Sequence, residues 1–446
     1  MIIGTLSNVY AQFGSSLYVT TDLDYPVDVL VADLDNDGDL DVVAADLGTP
    51  DRIVWFENLD GLGNFGPENL VTLEAIIPRE IHANDIDGDG DIDLISCSHD
   101  HDIAWYENLD GQGNFGPQIL IDFLDSSGST VFSSDINGDG HIDVITGTAP
   151  NYLAWYENTG ADGAFGPPQI INTNIHGPSD IYTEDLDGDG DMDLLVSSSL
   201  DDKITWYENL DGLATFSGPN LITSIADTVQ AVHAVDVDGD GDMDVLSASK
   251  SDGKIAWYEN LDGLGNFGVQ IIITSSAILA TDVLGVDLNG DGNVDVLSSS
   301  AGEDMIAWYD NFDGAGTYSS RITIWDDVEM AEAVAAGDLT GDGAIDVLVA
   351  SPIDGDIVWF EYGGTFGIED KTQTIASLYP NPTAGELHFD TTLTIVEVSV
   401  INKIGQEILV TDNSESVNLA QLQSGLYFVS LEFSNGIREI HKVLKK

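Results

Sequence analysis

Residues 85–93 read Asp85-Ile86-Asp87-Gly88-Asp89-Gly90-Asp91-Ile92-Asp93, and the same frame returns six more times along the chain. The seven copies begin at Asp33, Asp85, Asp135, Asp185, Asp236, Asp287 and Asp338. Side-chain oxygens at positions 1, 3 and 5, with Gly at 6 for a sharp turn, are what a hard cation such as calcium needs to gather roughly six to eight oxygen ligands. The candidate ligands are Asp33, Asp35, Asp37, Asp39 and Asp41 in the first loop, then Asp85, Asp87, Asp89, Asp91 and Asp93 in the second. Asp135, Asn137, Asp139, His141 and Asp143 follow, then Asp185, Asp187, Asp189, Asp191 and Asp193, then Asp236, Asp238, Asp240, Asp242 and Asp244. The last two loops offer Asp287, Asn289, Asp291, Asn293 and Asp295, and Asp338, Thr340, Asp342, Ala344 and Asp346.

Position 7 can serve through its backbone carbonyl, which accounts for its variation from Asp39 to His141 to Ala344. An EF-hand is excluded, because position 12 is Ala44, Ser96, Thr146, Val196, Ser247, Ser298 or Val349 instead of a bidentate Glu. Asp at position 9 is expected to close the site. The reading predicts up to seven calcium ions, one per repeat, with the loops carrying Asn137, Asn289 and Thr340 binding more weakly.

Two further markers count the same repeats. A Trp-aromatic-acid motif recurs at Trp55, Trp105, Trp155, Trp206, Trp257, Trp308 and Trp359, spaced by 50 or 51 residues. An aromatic-Gly/Ser pair recurs at Phe65, Phe115, Phe165, Phe216, Phe267, Tyr318 and Phe366. Within the first repeat, β-rich runs at Val27–Ala32, Leu40–Ala45, Ile53–Asn58 and Asn69–Leu73 alternate with turn residues, giving four strands per repeat. Seven four-stranded repeats make a seven-bladed β-propeller in an all-β chain. Phe13 to Thr21 alternates like a strand and lacks a Trp motif before it, so it is predicted to complete the seventh blade.

The bulk composition sets limits. A net charge of -67 over 446 residues excludes nucleic acid as a partner and favours cations. Residues 371–446 hold 6 of the 12 basic residues against 8 acids, which marks a compositional boundary near Lys371. Cys97 is the sole cysteine, so no intrachain disulfide forms. No apolar run reaches the roughly 20 residues that span a bilayer. Met1 to Gln12 resembles the tail of a signal peptide.

The loop DGDGDIDL and the Phe-Gly turns resemble the FG-GAP/VCBS repeat family, which includes the propeller of integrin α subunits. The resemblance covers residues 13–367 and implies a calcium-bearing propeller with a role in adhesion or extracellular recognition. From Ser377 the run SLYPNPTAGELHF, with GLYFV at Gly425 and the basic end KVLKK, is similar to the type A C-terminal sorting domain of the type IX secretion system. That family occurs in Bacteroidetes. It implies a small Ig-like β-sandwich over residues 377–446, a linker at 368–376, handling by the secretion machinery, and a secreted or outer-membrane surface location.

Function is less sharply bounded. The seven Trp are expected to pack blade against blade instead of forming sugar platforms, and His99 with His101 to form a solvated turn. Three residues before each loop the side chain varies through Leu30, His82, Phe132, Tyr182, His233, Leu284 and Ala335, with acids two residues earlier at Asp28, Glu80, Asp180 and Asp282. That variation marks a candidate functional patch. Only 25 of the 71 acids before residue 371 are Asp at ligand positions 1, 3, 5 and 9, so metal binding alone does not explain the charge. No catalytic constellation emerges. The first reading is a recognition or adhesion scaffold with a glycan or protein ligand; the alternatives are a propeller lectin or a carbohydrate-active enzyme of the polysaccharide-lyase type.

Overall fold

The second strand of each repeat is a run of small and β-branched residues, such as Val42 to Ala45, and it is buried along its whole length. A strand covered on both faces reads as a continuous apolar run, without alternation. It forms the middle of each blade. In the first repeat Pro26–Ala32, Asp41–Asp46, Arg52–Phe56 and Asn69–Thr72 pair antiparallel in chain order. The next five repeats form sheets of the same order.

The seventh blade is assembled from both ends of the propeller. Val334–Gly337, Asp346–Ser351 and Asp356–Phe360 supply three strands, and Leu17–Thr20 is the fourth. Leu17 pairs with Trp359 and Tyr18 with Val358. Phe13 bridges to Tyr362 and stacks edge-on against Trp308 at 6.2 Å between ring centroids. The first strands of successive blades touch one another, and that of the seventh touches that of the first, so the ring closes.

The computed structural model describes residues 13–99, 102–123, 128–148, 151–160, 163–326 and 328–363 of the propeller. In the C-terminal unit it describes 376–379, 383, 385–391, 394–402, 407–412, 416–423, 425–433 and 438–446. The expected leader remnant at 1–12, the linker apart from residue 376, Phe366 and His101 lie outside these. Among the described residues there is no helix.

Packing between blades is repetitive. None of the seven motif Trp is more than 5% exposed. Gly113 lies over Trp55, Gly163 over Trp105, Gly265 over Trp206, Gly316 over Trp257, and Gly63 of the first blade over Trp359, each too close to admit a Cβ. The glycine turn of one blade therefore caps the Trp of the blade before it, and the expectation of packing holds.

A polar latch accompanies each cap. The Asn209 side-chain amide donates to Met192 O of its own blade at 3.1 Å and to Ile136 O of the preceding blade at 2.9 Å. Asn58, Asn108, Asn158, Asn260 and Asn311 repeat this pair of bonds. The seventh blade has Tyr362 in that place. Replacing Asn209 with Ala strands two buried carbonyls and is expected to cost about 2–4 kcal/mol, read as a lower urea midpoint for the propeller.

The chain divides into two compact units, Met1–Phe366 and Gly367–Lys446. The second is a small β-sandwich. One sheet joins Ala376–Tyr379, Glu386–Thr391 and Ser416–Asn418; the other joins Glu407–Asp412, Ile395–Asn402, Gly425–Phe433 and Arg438–Lys445. Leu387, Val398, Val429, Leu431 and Val443 fill the space they share.

Candidate metal centres

Every Asp-rich loop joins the first and second strands of its blade, so all seven stand at the same end of the sheets. In the second loop Asp85 accepts the N–H of Gly88 at 2.9 Å and of Gly90 at 3.1 Å. Asp87 accepts from Asp89 at 3.2 Å, and Asp89 from Asp91 at 3.0 Å. These bonds fold the backbone around the carboxylates. The turn demands left-handed residues at positions 4 and 6, met by Gly88 (φ 77°) and Gly90 (φ 99°). In the first loop Asn36 fills position 4 at φ 60°.

The result is a set of converging oxygens. Carboxylate atoms of Asp85, Asp87 and Asp93 lie within 4.8 Å of one another, as do those of Asp185, Asp187 and Asp193, and of Asp236, Asp238 and Asp244. In the first loop the group is Asp33, Asp35 and Asp37. That spacing suits ligands of one cation bound at roughly 2.3–2.6 Å. Asp33 Oδ1 is sealed from water without a hydrogen-bond partner, as expected of an oxygen reserved for a ligand. Burial first, then the neighbouring carboxylate, raises Asp35, Asp87, Asp187 and Asp238 above the usual carboxylate range. An all-oxygen donor set whose charges repel one another fits a hard divalent cation.

The other three loops differ at position 3. Asn137 donates to Asp139 at 3.3 Å and Asn289 to Asp310 at 3.2 Å, while Thr340 Oγ1 is buried without a partner. No carboxylate triad forms there among the described residues.

Positions 9 and 7 have roles that the spacing did not disclose. Asp93 accepts the backbone N–H of Asn108 at 2.7 Å and of Ile86 at 3.1 Å, tying the loop to the Trp-bearing strand. Asp41, Asp193 and Asp244 make the same two bonds, as does Asp346 through Tyr362. Asp143 and Asp295 keep the bond to the Trp-bearing strand. Burial raises the position-9 acid to about 7 in Asp93 and Asp193 and to about 6 in Asp346. Position 9 is thus a staple of the blade, and in three loops it also faces positions 1 and 3. Position-7 side chains Asp39, Asp91, Asp191, Asp242 and Asn293 instead lie over Gly61, Gly111, Gly212, Gly263 and Gly314 of their own blades. Among the described residues none joins a carboxylate triad.

Four of the variable first-strand residues meet one another across successive blades. His82, Phe132, Tyr182 and His233 form a continuous aromatic arc, with successive centroids 4.3, 5.3 and 4.8 Å apart. Burial lowers both histidines to about 4, so they are neutral at physiological pH. Asp28, Glu80, Asp180 and Asp282 each accept a backbone N–H from the next blade, those of Ile81, Val131, Val232 and Val334. These acids act as inter-blade latches. Burial, and like charge across the ring, pushes Asp28 up to about 7.

The FG-GAP-like repeat matches five overlapping windows, 85–146, 135–196, 185–247, 236–298 and 287–349, which together cover more than half of the residues. The chain belongs to this family. Each window of the FG-GAP repeat runs from one Asp loop into the second strand of the following blade. Residues 377–446 match the secretion system C-terminal sorting domain, which marks proteins exported by type IX secretion, so this FG-GAP protein is secreted or displayed at the cell surface.

Among solved structures, a lectin from Burkholderia pseudomallei is 16% identical, with a TM-score of 0.59 over 76% of this chain and 96% of the lectin. An Agrocybe aegerita lectin described as recognising non-reducing terminal N-acetylglucosamine is 20% identical, with a TM-score of 0.53 over 74% of this chain and 86% of that one. The BBS1N chain of a complex with ARL6DN is 13% identical, with a TM-score of 0.56 over 81% of this chain and 100% of its own. At these identities the FG-GAP protein shares their fold. No curated protein matches.

Proposed function

We propose that this protein is an exported recognition scaffold in which calcium, held by the Asp loops, fixes a rigid propeller that presents a ligand-binding surface. The observation that carries the reading is the convergence of three carboxylates in each of four loops. Asp33, Asp35 and Asp37, and the acids at positions 1, 3 and 9 of the second, fourth and fifth loops, would hold the ion, with position 5 in reach of the same turn. The bound cation neutralises charges that otherwise repel. The chain's own residues already supply the turn, the hydrogen-bonded frame and the staple to the Trp strand. Two of the structures of like fold are lectins and a third binds a protein partner, which supports recognition and adhesion ahead of catalysis.

Calorimetric titration of calcium into the chelated protein tests this. The four loops with carboxylate triads are expected to fill before the remaining three, and Asp187→Asn to remove one of the tighter sites. A protein that takes up no calcium contradicts the reading.

A further inference from the structure

One cavity reaches past the Asp loops to the first strands. It spans three blades, with Tyr182 and Glu184 from the fourth, His233 and Val235 from the fifth and Asn293 from the sixth. It encloses about 430 Å³ at the Asp-loop end of the sheets, within the range of small-molecule pockets. The matching groove between the third and fourth blades holds about 280 Å³, and its wall begins at Ser134 without a first-strand aromatic.

Strand register shows what sets this cavity apart. Glu184 pairs with Asp193, and the sister residues that pair with the position-9 acid are Ala32, Asn84, Ser134, Val235, Val286 and Gly337. Glu184 is thus the one acid at that register. One of its oxygens accepts the Asp185 N–H at 3.3 Å; the other has no partner among the described residues and is open to solvent. Tyr182 and His233 meet at 65° with ring centroids 4.8 Å apart, so they form a corner in the wall. The Tyr182 hydroxyl makes no hydrogen bond among the described residues and is not sealed from solvent. His233 Nδ1 accepts the Gly285 N–H at 3.3 Å, which leaves the ring proton on Nε2.

Charge narrows the class of ligand. Burial, then the charges of Glu184 and Asp180, raises the Tyr182 hydroxyl, so that ring sits in a negative field. The fifth loop adds five Asp, and one bound calcium offsets only two of those charges. The net charge of -67 disfavours an anion. Val235, Val237 and Met243 give apolar wall for methyl or methylene groups. An aromatic corner beside a carboxylate suits an ammonium group, held by cation–π attraction and by its opposite charge.

We propose that this cavity binds a small organic ammonium ion, with Glu184 pairing with the charge and Tyr182 and His233 walling it. The inference rests on the recognition reading and gives it a site and a ligand class.

Saturation-transfer NMR and calorimetry on the calcium-loaded full chain test it with choline, putrescine and Nα-acetyl-lysine amide. These stand for a quaternary amine, a polyamine and a lysine side chain. The control is the neutral isostere of choline, in which carbon replaces the nitrogen. At least one of the cations is expected to bind at about 10 mM, and the isostere is not. Glu184→Gln should weaken binding about tenfold with an unchanged melting temperature, because Gln keeps the acceptor for Asp185 N–H. Tyr182→Leu, the residue type of Leu30 and Leu284 in two sister blades, should weaken it about fivefold. The site is overturned if no cation binds at about 10 mM, if the isostere binds as well as choline, or if Glu184→Gln leaves affinity unchanged. It is also overturned if added calcium at constant ionic strength displaces the cation, which would place it in the Asp loops. Calcium titration of the same samples reports on the scaffold separately, so failure of this site and failure of the calcium reading are distinguishable.

Discussion

Stripping calcium from the full chain with a chelator is expected to lower the melting temperature of the propeller by about 8–15 °C relative to about 10 mM calcium. Extracellular calcium modules bind at roughly 10⁻⁴ to 10⁻³ M, so about 10 mM is about 10 to 100 times the dissociation constant. Each filled site then contributes about 1.4–2.7 kcal/mol. Four sites, those with three converging carboxylates, give about 6–11 kcal/mol. With an unfolding entropy of about 2.1 cal/mol/K per residue over roughly 350 residues, each degree is about 0.7 kcal/mol, which yields the stated shift. Differential scanning calorimetry at matched ionic strength separates specific binding from screening of the acidic surface. A magnesium control sharpens it, because magnesium demands a tighter octahedron than these loops offer.

Removing residues 1–21 should be nearly as damaging. Phe13 and Val19 are buried, and among the described residues Leu17–Thr20 is the one strand that covers the Trp359 strand on its open edge. The loss of two buried apolar side chains is worth about 3–6 kcal/mol. Trp308 also loses the edge-on contact of Phe13, and the ladder along Asp356–Phe360 loses its partner. We expect a fall of about 5–10 kcal/mol in stability and an exposed strand edge that promotes association. Thermal melts and light scattering read both effects. Adding a peptide of residues 13–21 should restore part of the melt by strand addition, whereas an unchanged melt in the truncated protein removes the closure claim.

The blades were legible in the sequence because three markers with different physical causes share one period: the loops answer to turn and cation chemistry, the Trp to inter-blade packing, and the Phe-Gly pairs to the turn that begins the fourth strand. The N-terminal closure was legible because Phe13 lacks a preceding Trp motif. Hidden from the sequence was the division of labour inside the loop. Position 9 is invariant in all seven repeats, which reads equally as ligand or staple, and its two backbone bonds only become visible once Asn108 or Asn209 is placed beside it. A signal was present: the Asn three residues after each Trp recurs in six blades and gives way to Tyr362 in the seventh. Position 7 can serve the ion through its backbone carbonyl, which leaves its side chain free to lie over the glycine turn of the same blade in five loops.

The central claim is that the Asp loops bind the cations that hold the ring together. The most direct measurement is anomalous diffraction from crystals of the full chain grown in calcium. The account predicts an anomalous peak within the carboxylate groups of Asp33, Asp85, Asp185 and Asp236, stronger than in the loops of Asn137, Asn289 and Thr340. Loops occupied only by water at saturating calcium would contradict it.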